Sequence, residues 1–113
     1  MIMKKLVALF LAILTLTAVC IPGAMAVTKW QERYGTKDLY TNTTGSNIHT
    51  YVRHLQEDLN TYGDYDLDED GYYGKYTKLA VISFQKSVGL NDDGWAGDNT
   101  KKALYNAVYG TNF

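Results

Sequence analysis

Apolar residues recur at helical spacing in three stretches of this chain. Ile48, Val52, Leu55 and Leu59 follow one another at intervals of four, three and four, which sets them on one face of a helix, while Arg53, Glu57, Asp58 and Asn60 take the opposite side. Ser46 is the expected N-cap of this helix and Tyr62-Gly63 its expected stop. Ala80, Val81, Phe84 and Val88 draw a second stripe closed by Gly89, after which Leu90 can fold back as an apolar clasp. Ala103, Leu104, Ala107 and Val108 draw a third, closed by Gly110. The pattern predicts an all-α, small three-helix domain with helices of about twelve to sixteen residues and one core where the stripes meet. A core of that size is near the lower limit for independent stability, so the loops must pack as well as the helices.

The loops before the second and third helices carry the same pattern, twenty-three residues apart. Asp70-Gly71-Tyr72-Tyr73-Gly74 with Thr77 and the pair Ala80-Val81 is matched by Asp93-Gly94-Trp95-Ala96-Gly97 with Thr100 and the pair Ala103-Leu104. The common content is a tight turn feeding a helix whose apolar face begins one turn in, that is, two repeated Asp-Gly-x-x-Gly turn-helix units.

The N-terminus changes the picture of where the chain works. Met1 to Lys5 is a short basic start, Leu6 to Val19 is almost wholly apolar, and Ala24-Met25-Ala26 has the small residues that signal peptidase prefers, so residues 1–26 are expected to be a cleaved signal peptide and Val27 the mature N-terminus. The apolar run is shorter than the ~20 residues of a membrane-spanning helix, and no membrane contact is expected after cleavage. Cys20 leaves with the signal, so no disulfide and no thiol chemistry is expected in the secreted product. Cleavage also removes Lys4 and Lys5, leaving nine basic against twelve acidic residues and a formal charge of −3. That balance argues against a nucleic-acid partner, which needs a basic face. The first mature residues, 27–46, read as an N-terminal tail or linker: Trp30, Tyr34, Leu39 and Tyr40 share no periodicity, and Thr41-Asn42-Thr43-Thr44-Gly45-Ser46 is a polar turn-forming run.

The domain that follows, 47–110, resembles a known family. Val52-x-x-Leu55-Gln56-x-x-Leu59, Gly63-x-Tyr65, then Asp70-Gly71-x-Tyr73-Gly74-x-x-Thr77-x-x-Ala80-Val81-x-x-Phe84-Gln85-x-x-x-Gly89-Leu90 and Asp93-Gly94-x-x-Gly97-x-x-Thr100-x-x-Ala103-Leu104 look like the helical peptidoglycan-binding domain appended to bacterial and phage cell-wall hydrolases. The resemblance implies a three-helix, non-catalytic module held on cell-wall peptidoglycan. The chain departs from the family where a proline often follows each second glycine; Lys75 and Asp98 stand there, both acceptable in a first helical turn.

Read physically, most motif residues are structural. Gln56 and Gln85 each follow an apolar core position and are expected to hydrogen-bond loop backbone, because a buried amide without partners is costly. Thr77 and Thr100 are expected to satisfy free N–H groups at helix starts, and Asp70 and Asp93 to close their turns. Ligand contact is expected instead from aromatic and short polar side chains around the repeat loops: Tyr65, Tyr72, Tyr73, Asn91, Asp93 and Trp95, with Tyr72 and Trp95 at the same repeat position. Sugar rings present apolar C–H faces ringed by hydroxyls, which a flat aromatic wall edged by amides and carboxylates complements.

Other chemistry finds little support in the sequence. Asp66-x-Asp68-x-Asp70-Gly71 copies the first half of a calcium loop, but position twelve is Thr77, which cannot supply the bidentate carboxylate. His49 and His54 are five apart on a helix and face different sides, so no zinc pair is expected. No cofactor is called for, and neither a facing carboxylate pair nor a nucleophile-histidine pair stands at a catalytic spacing. The expectation is a secreted, cell-wall-associated binder of peptidoglycan, through its glycan strand or its stem peptide, without enzymatic activity. The alternative is a secreted interaction protein that docks onto a cell-wall hydrolase or another surface partner through the tail and the aromatic loops.

Overall fold

The computed structural model describes residues 28–110. The expected signal peptide lies outside the described residues. Four helices run in chain order: α1 (Lys29–Tyr34), α2 (Ile48–Tyr62), α3 (Lys75–Ser87) and α4 (Asp98–Tyr109). The last three are those the apolar stripes predict, and none among the described residues is long and apolar enough to cross a membrane. α2 is the central element, packed against each of the others, and α1 also lies on α4. Val52, Leu55 and Leu59 of α2 meet Val81 and Phe84 of α3 and Leu104 of α4 in one buried cluster. Val88 and Ala107 do not join it: Val88 is the C-cap of α3 and 38 % exposed, and Ala107 faces solvent.

The helix ends explain why the stripes stop where they do. After α3 the Gly89 and Leu90 N–H groups donate back to the Lys86 and Gln85 carbonyls, a Schellman closure that needs the positive φ of Gly89 (+76°). α2 is preceded by Asn47 in the left-handed conformation with no side-chain cap, so Ser46 does not hold the expected N-cap position. α3 and α4 start at Gly74 and Gly97, also without a side-chain cap.

The segment expected to be a tail is built into the core. α1 opens on a capping box in which Thr28 Oγ1 accepts from the Gln31 N–H and the Gln31 amide oxygen accepts from the Thr28 N–H. Tyr34 and Leu39 are fully buried with the helical core residues. Two polar anchors hold the segment in place. The first is Asp58, which the helical pattern set on the solvent side of α2 but which is 2 % exposed. Its carboxylate accepts from Arg33 Nε (2.5 Å) and Nη2 (2.9 Å), from the Tyr34 hydroxyl (2.6 Å) and from the Tyr109 hydroxyl (2.9 Å), drawing α1, α2 and α4 together. The second is Lys101 of α4, whose buried Nζ donates to the Gly35 and Lys37 carbonyls (2.8 Å each) and lies 5.6 Å from the Trp30 ring centroid. Among the described residues no buried side-chain nitrogen or oxygen lacks a hydrogen-bond partner.

Beyond α1 the chain becomes a strap across both repeat loops. Leu39 forms an antiparallel bridge with Ala96, exchanging N–H···O bonds of 3.1 and 2.8 Å. The Asn42 N–H donates to the Tyr73 carbonyl at 3.1 Å. Ala96 and Tyr73 occupy the same position of the two repeats, so the strap meets both loops at equivalent points. A turn with Asn42 at φ 63° and a Thr43 hydroxyl bonded to the Tyr40 backbone fixes its bend.

Candidate ligand-binding site

Each repeat loop is organised around a buried glutamine from the preceding helix. Gln56 Oε1 accepts from the Gly71 N–H (2.9 Å), and its Nε2 faces Asp70 Oδ1 (3.2 Å), the Tyr72 carbonyl (2.9 Å) and Thr77 Oγ1 (3.0 Å). Gln85 repeats the set with Gly94, Asp93, Trp95 and Thr100 at 2.9, 3.2, 2.9 and 3.0 Å. Asp70 and Asp93 also accept from the Tyr72 and Trp95 N–H groups, closing the turns as their position predicts. Thr77 and Thr100 do not cap their helices; their hydroxyls lie buried against the glutamine amides, because the glycine start of each helix brings the third residue under the loop. Gly71 and Gly94 are required where they stand: both have φ near +80°, and a Cβ at Gly71 would lie 2.6 Å from the His49 carbonyl oxygen.

This bonding leaves two open clefts, one beside each loop. The first, of about 220 Å3, is lined by Tyr65, Leu67, Asp68, Asp70, Tyr72 and Lys75 among others. The second, of about 580 Å3, is lined by Leu90, Asn91, Asp93, Trp95, Asp98 and Asn99, with Asp38 of the strap. A shift of twenty-three residues carries most of one lining onto the other: Leu67 onto Leu90, Asp68 onto Asn91, Tyr72 onto Trp95 and Lys75 onto Asp98. Tyr72 and Trp95 are 65 % and 49 % exposed, and each leans on a second ring. His49 lies 4.6 Å from Tyr72, tilted by 58°; Tyr40 lies 4.5 Å from Trp95 and nearly parallel, at 18°. His54 is used elsewhere, its Nδ1 on the Arg33 carbonyl.

The six residues expected at the site therefore divide. Tyr65 and Tyr72 line the first cleft, and Asn91, Asp93 and Trp95 the second. Tyr73 belongs to neither. It is 4 % exposed and its hydroxyl donates to the Gly94 carbonyl at 2.7 Å, tying the first loop to the second. The repeat itself holds the signal for this: Tyr73 aligns with Ala96, a residue without ligand chemistry, whereas Tyr72 aligns with Trp95. Asp38 and Tyr40 were missed because the segment carrying them has no helical period. Their signal is the alternation Asp38-Leu39-Tyr40, in which a buried Leu39 turns its neighbours outward.

Charge in the clefts follows from these contacts. The Asp70 carboxyl is held below the ordinary carboxylate range chiefly by the Tyr72 N–H, with the Gln56 amide adding to it against the effect of burial. Burial raises the Tyr65 phenol, with a smaller contribution from Tyr62. Burial, and then the negative charge of Asp93, push the Tyr73 phenol well above its ordinary range. Burial and Asp58 do the same to Tyr34, and Tyr109 is pushed up to about 12 by burial and its bond to Asp58. A phenol whose folded pKa is raised contributes stability that is complete below the unfolded value of about 10 and is lost as pH rises through the folded value. Lys101, whose ammonium burial lowers, acts in the opposite sense, but one group stands against four. The denaturation midpoint is therefore expected to fall above about pH 10. Tyr73→Phe should weaken that fall, as read by circular dichroism across a pH series.

Among the described residues no group of three His, Cys, Asp or Glu side chains is disposed to hold a metal ion. The clefts offer exposed aromatic faces, side-chain amides and carboxylates, of which Asp70 and Asp93 are engaged in loop bonds. Neither the curated proteins nor the solved structures hold a significant match to the chain. A family model does match, described as "Putative peptidoglycan binding domain", over residues 49–104, a span that runs from the start of α2 to the middle of α4 and includes both glutamine-centred loops. Through those residues the chain belongs to the peptidoglycan-binding domain family.

Proposed function

We propose that this is a secreted, non-catalytic protein that binds peptidoglycan directly, with the two repeat-loop clefts as its contact surface. The observation that carries the reading is the duplication: a member of a peptidoglycan-binding family presents the same kind of cleft twice, with exposed Tyr72 and Trp95 at the same repeat position and Tyr76 as a second exposed ring in the first. A polymer of repeating units suits a surface with repeated sites, since two weak contacts on one strand reinforce each other through effective concentration. Tyr65, Tyr72, Asn91, Asp93 and Trp95 supply the contacts in this account. Secretion rests on the signal-like residues 1–26, after which the mature chain would act in the wall outside the membrane.

Absence of catalysis is supported by how the carboxylates are used. In each cleft the aspartate beside the aromatic residue, Asp70 or Asp93, accepts from a backbone N–H and a glutamine amide to hold its loop, a poor position for a proton-transferring group. For the alternative, docking onto a hydrolase or another surface partner, the packing of Tyr34 and Leu39 into the core leaves the aromatic loops rather than a free tail as the contact surface.

The test is co-sedimentation of the purified protein with insoluble peptidoglycan at physiological salt. Wild type is expected in the pellet, and a Tyr72→Ala, Trp95→Ala variant with an unchanged circular dichroism spectrum is expected to bind at least about tenfold more weakly. Equal sedimentation of the two would remove the clefts from the account.

A further inference from the structure

The two clefts share a repeat but not a full lining, and part of the difference lies in the strap, residues 38–42, outside the span that matches the family. The strap adds Asp38 to the lining of the second cleft and stacks Tyr40 on Trp95. Tyr40 lies against Trp95 almost in parallel, so that two rings back one another at the cleft edge, and the Leu39–Ala96 bridge fixes this register. A supported ring keeps one orientation in the absence of ligand, which lowers the ordering cost of binding a flat apolar face.

The rest of the lining decides between the two chemical parts of peptidoglycan. The second cleft is lined by Asp38, Asp93 and Asp98, by Asn91 and Asn99, and by no Lys, Arg or His. Of the cations close by, Lys101 is buried and directs its Nζ at two backbone carbonyls, and Lys78 packs against Gly94 outside the lining. Stem peptides carry more carboxylates than amines, and this lining repels their net negative charge. Sugar units are neutral, carry hydroxyl and amide N–H donors for these acceptors, and have a C–H face for Trp95.

We propose that the second cleft binds the glycan strand rather than the stem peptide, seating an N-acetylated pyranose on Trp95, with Tyr40 as the positioning residue that holds the ring and Asp38 as a further contact. The assignment rests on the peptidoglycan-binding reading and refines it.

Two separate probes are used: neutral β-1,4-linked N-acetylglucosamine oligomers, which present the N-acetylated pyranose without a carboxylate, and stem peptides freed from the wall by an amidase. Each is titrated into 15N-labelled protein while the Trp95 indole N–H is followed, with sedimentation on intact wall run in parallel. The glycan oligomer is expected to shift the Trp95 signal and stem peptide to leave it unmoved. Tyr40→Ala should weaken glycan binding by about five- to tenfold, and Tyr40→Phe, which keeps the ring, should restore it. Stem-peptide binding at Trp95 without glycan binding would overturn the inference while leaving wall binding intact. Unchanged affinity in Tyr40→Ala would overturn the positioning role. Failure of glycan, peptide and intact wall alike would overturn the inference together with the reading beneath it.

Discussion

Asp58→Ala is expected to remove more than half of the protein's net stability, leaving it folded at room temperature but close to its unfolding threshold. The substitution leaves the Arg33 guanidinium and the Tyr34 hydroxyl, both turned inward, without their acceptor, and frees the Tyr109 hydroxyl as well. Breaking a buried ion pair by removing one partner typically costs about 3–5 kcal/mol, because the remaining charge stays buried and uncompensated. Arg33 is a quarter exposed and keeps a 3.1 Å bond to Glu57, which favours the lower end of that range. A domain of this size holds only about 5 kcal/mol of net stability, so even that end removes most of it. Replacing the whole group with apolar side chains, as in Arg33→Met, Tyr34→Phe, Asp58→Leu, should recover much of the loss, since no polar group is then left unpaired. Urea denaturation of the three proteins checks both parts. A loss under about 1 kcal/mol in Asp58→Ala would mean that α1 contributes little to the fold.

The second large effect is expected at Gln85. One amide holds four groups of the second loop, and Gln85→Ala leaves the buried Gly94 N–H and Thr100 hydroxyl without it, for a loss of about 3 kcal/mol. In a chain this short that corresponds to a fall in Tm of more than about 10 °C. Gln85→Glu separates hydrogen bonding from size. The carboxylate can still accept from Gly94, but it cannot donate to the Trp95 carbonyl or Thr100, and it faces Asp93 at close range. It should therefore be nearly as destabilised as the alanine variant despite equal volume. Because the same amide positions the Trp95 loop, wall binding should weaken in step with Tm. Thermal melts and sedimentation on the same preparations test the pair of effects, and a Gln85→Glu melt like that of wild type would show that packing, not the amide, shapes the loop.

These two sites also mark how far the sequence could be read. Gln85 and Gln56 were legible: a glutamine one step past an apolar core position, followed by Asp-Gly and a threonine twice over, constrains the amide to serve the loop. The spans of α2, α3 and α4 were legible for a similar reason, since ten or more residues give a stripe room to repeat. Asp58 was not. Its position on α2 is polar by pattern, and only contact with Arg33 and Tyr34, more than twenty residues earlier, turns that face inward. α1 escaped because six residues cannot display a helical period, and beyond the Thr28–Gln31 capping box its stability comes from tertiary anchors. Lys101 is the same case, a lysine buried because two carbonyls of the strap lie over its Nζ. Of the candidate site, Trp95 and Tyr72 were visible through the repeat, while Tyr40 depended on a strap whose register is set by one bridge to Ala96.

Whether peptidoglycan binds at the two repeat-loop clefts is read from a map of 1H–15N shifts as soluble peptidoglycan fragments are added to the labelled protein. Saturable shifts gathered on the backbone of Asn91, Asp93 and Trp95, on the Trp95 indole, and on Tyr72 across the strap are the predicted result. Shifts confined to the outer side of α1 and α4, around Arg33 and Tyr109, or no shifts at concentrations where intact wall sediments the protein, would contradict it.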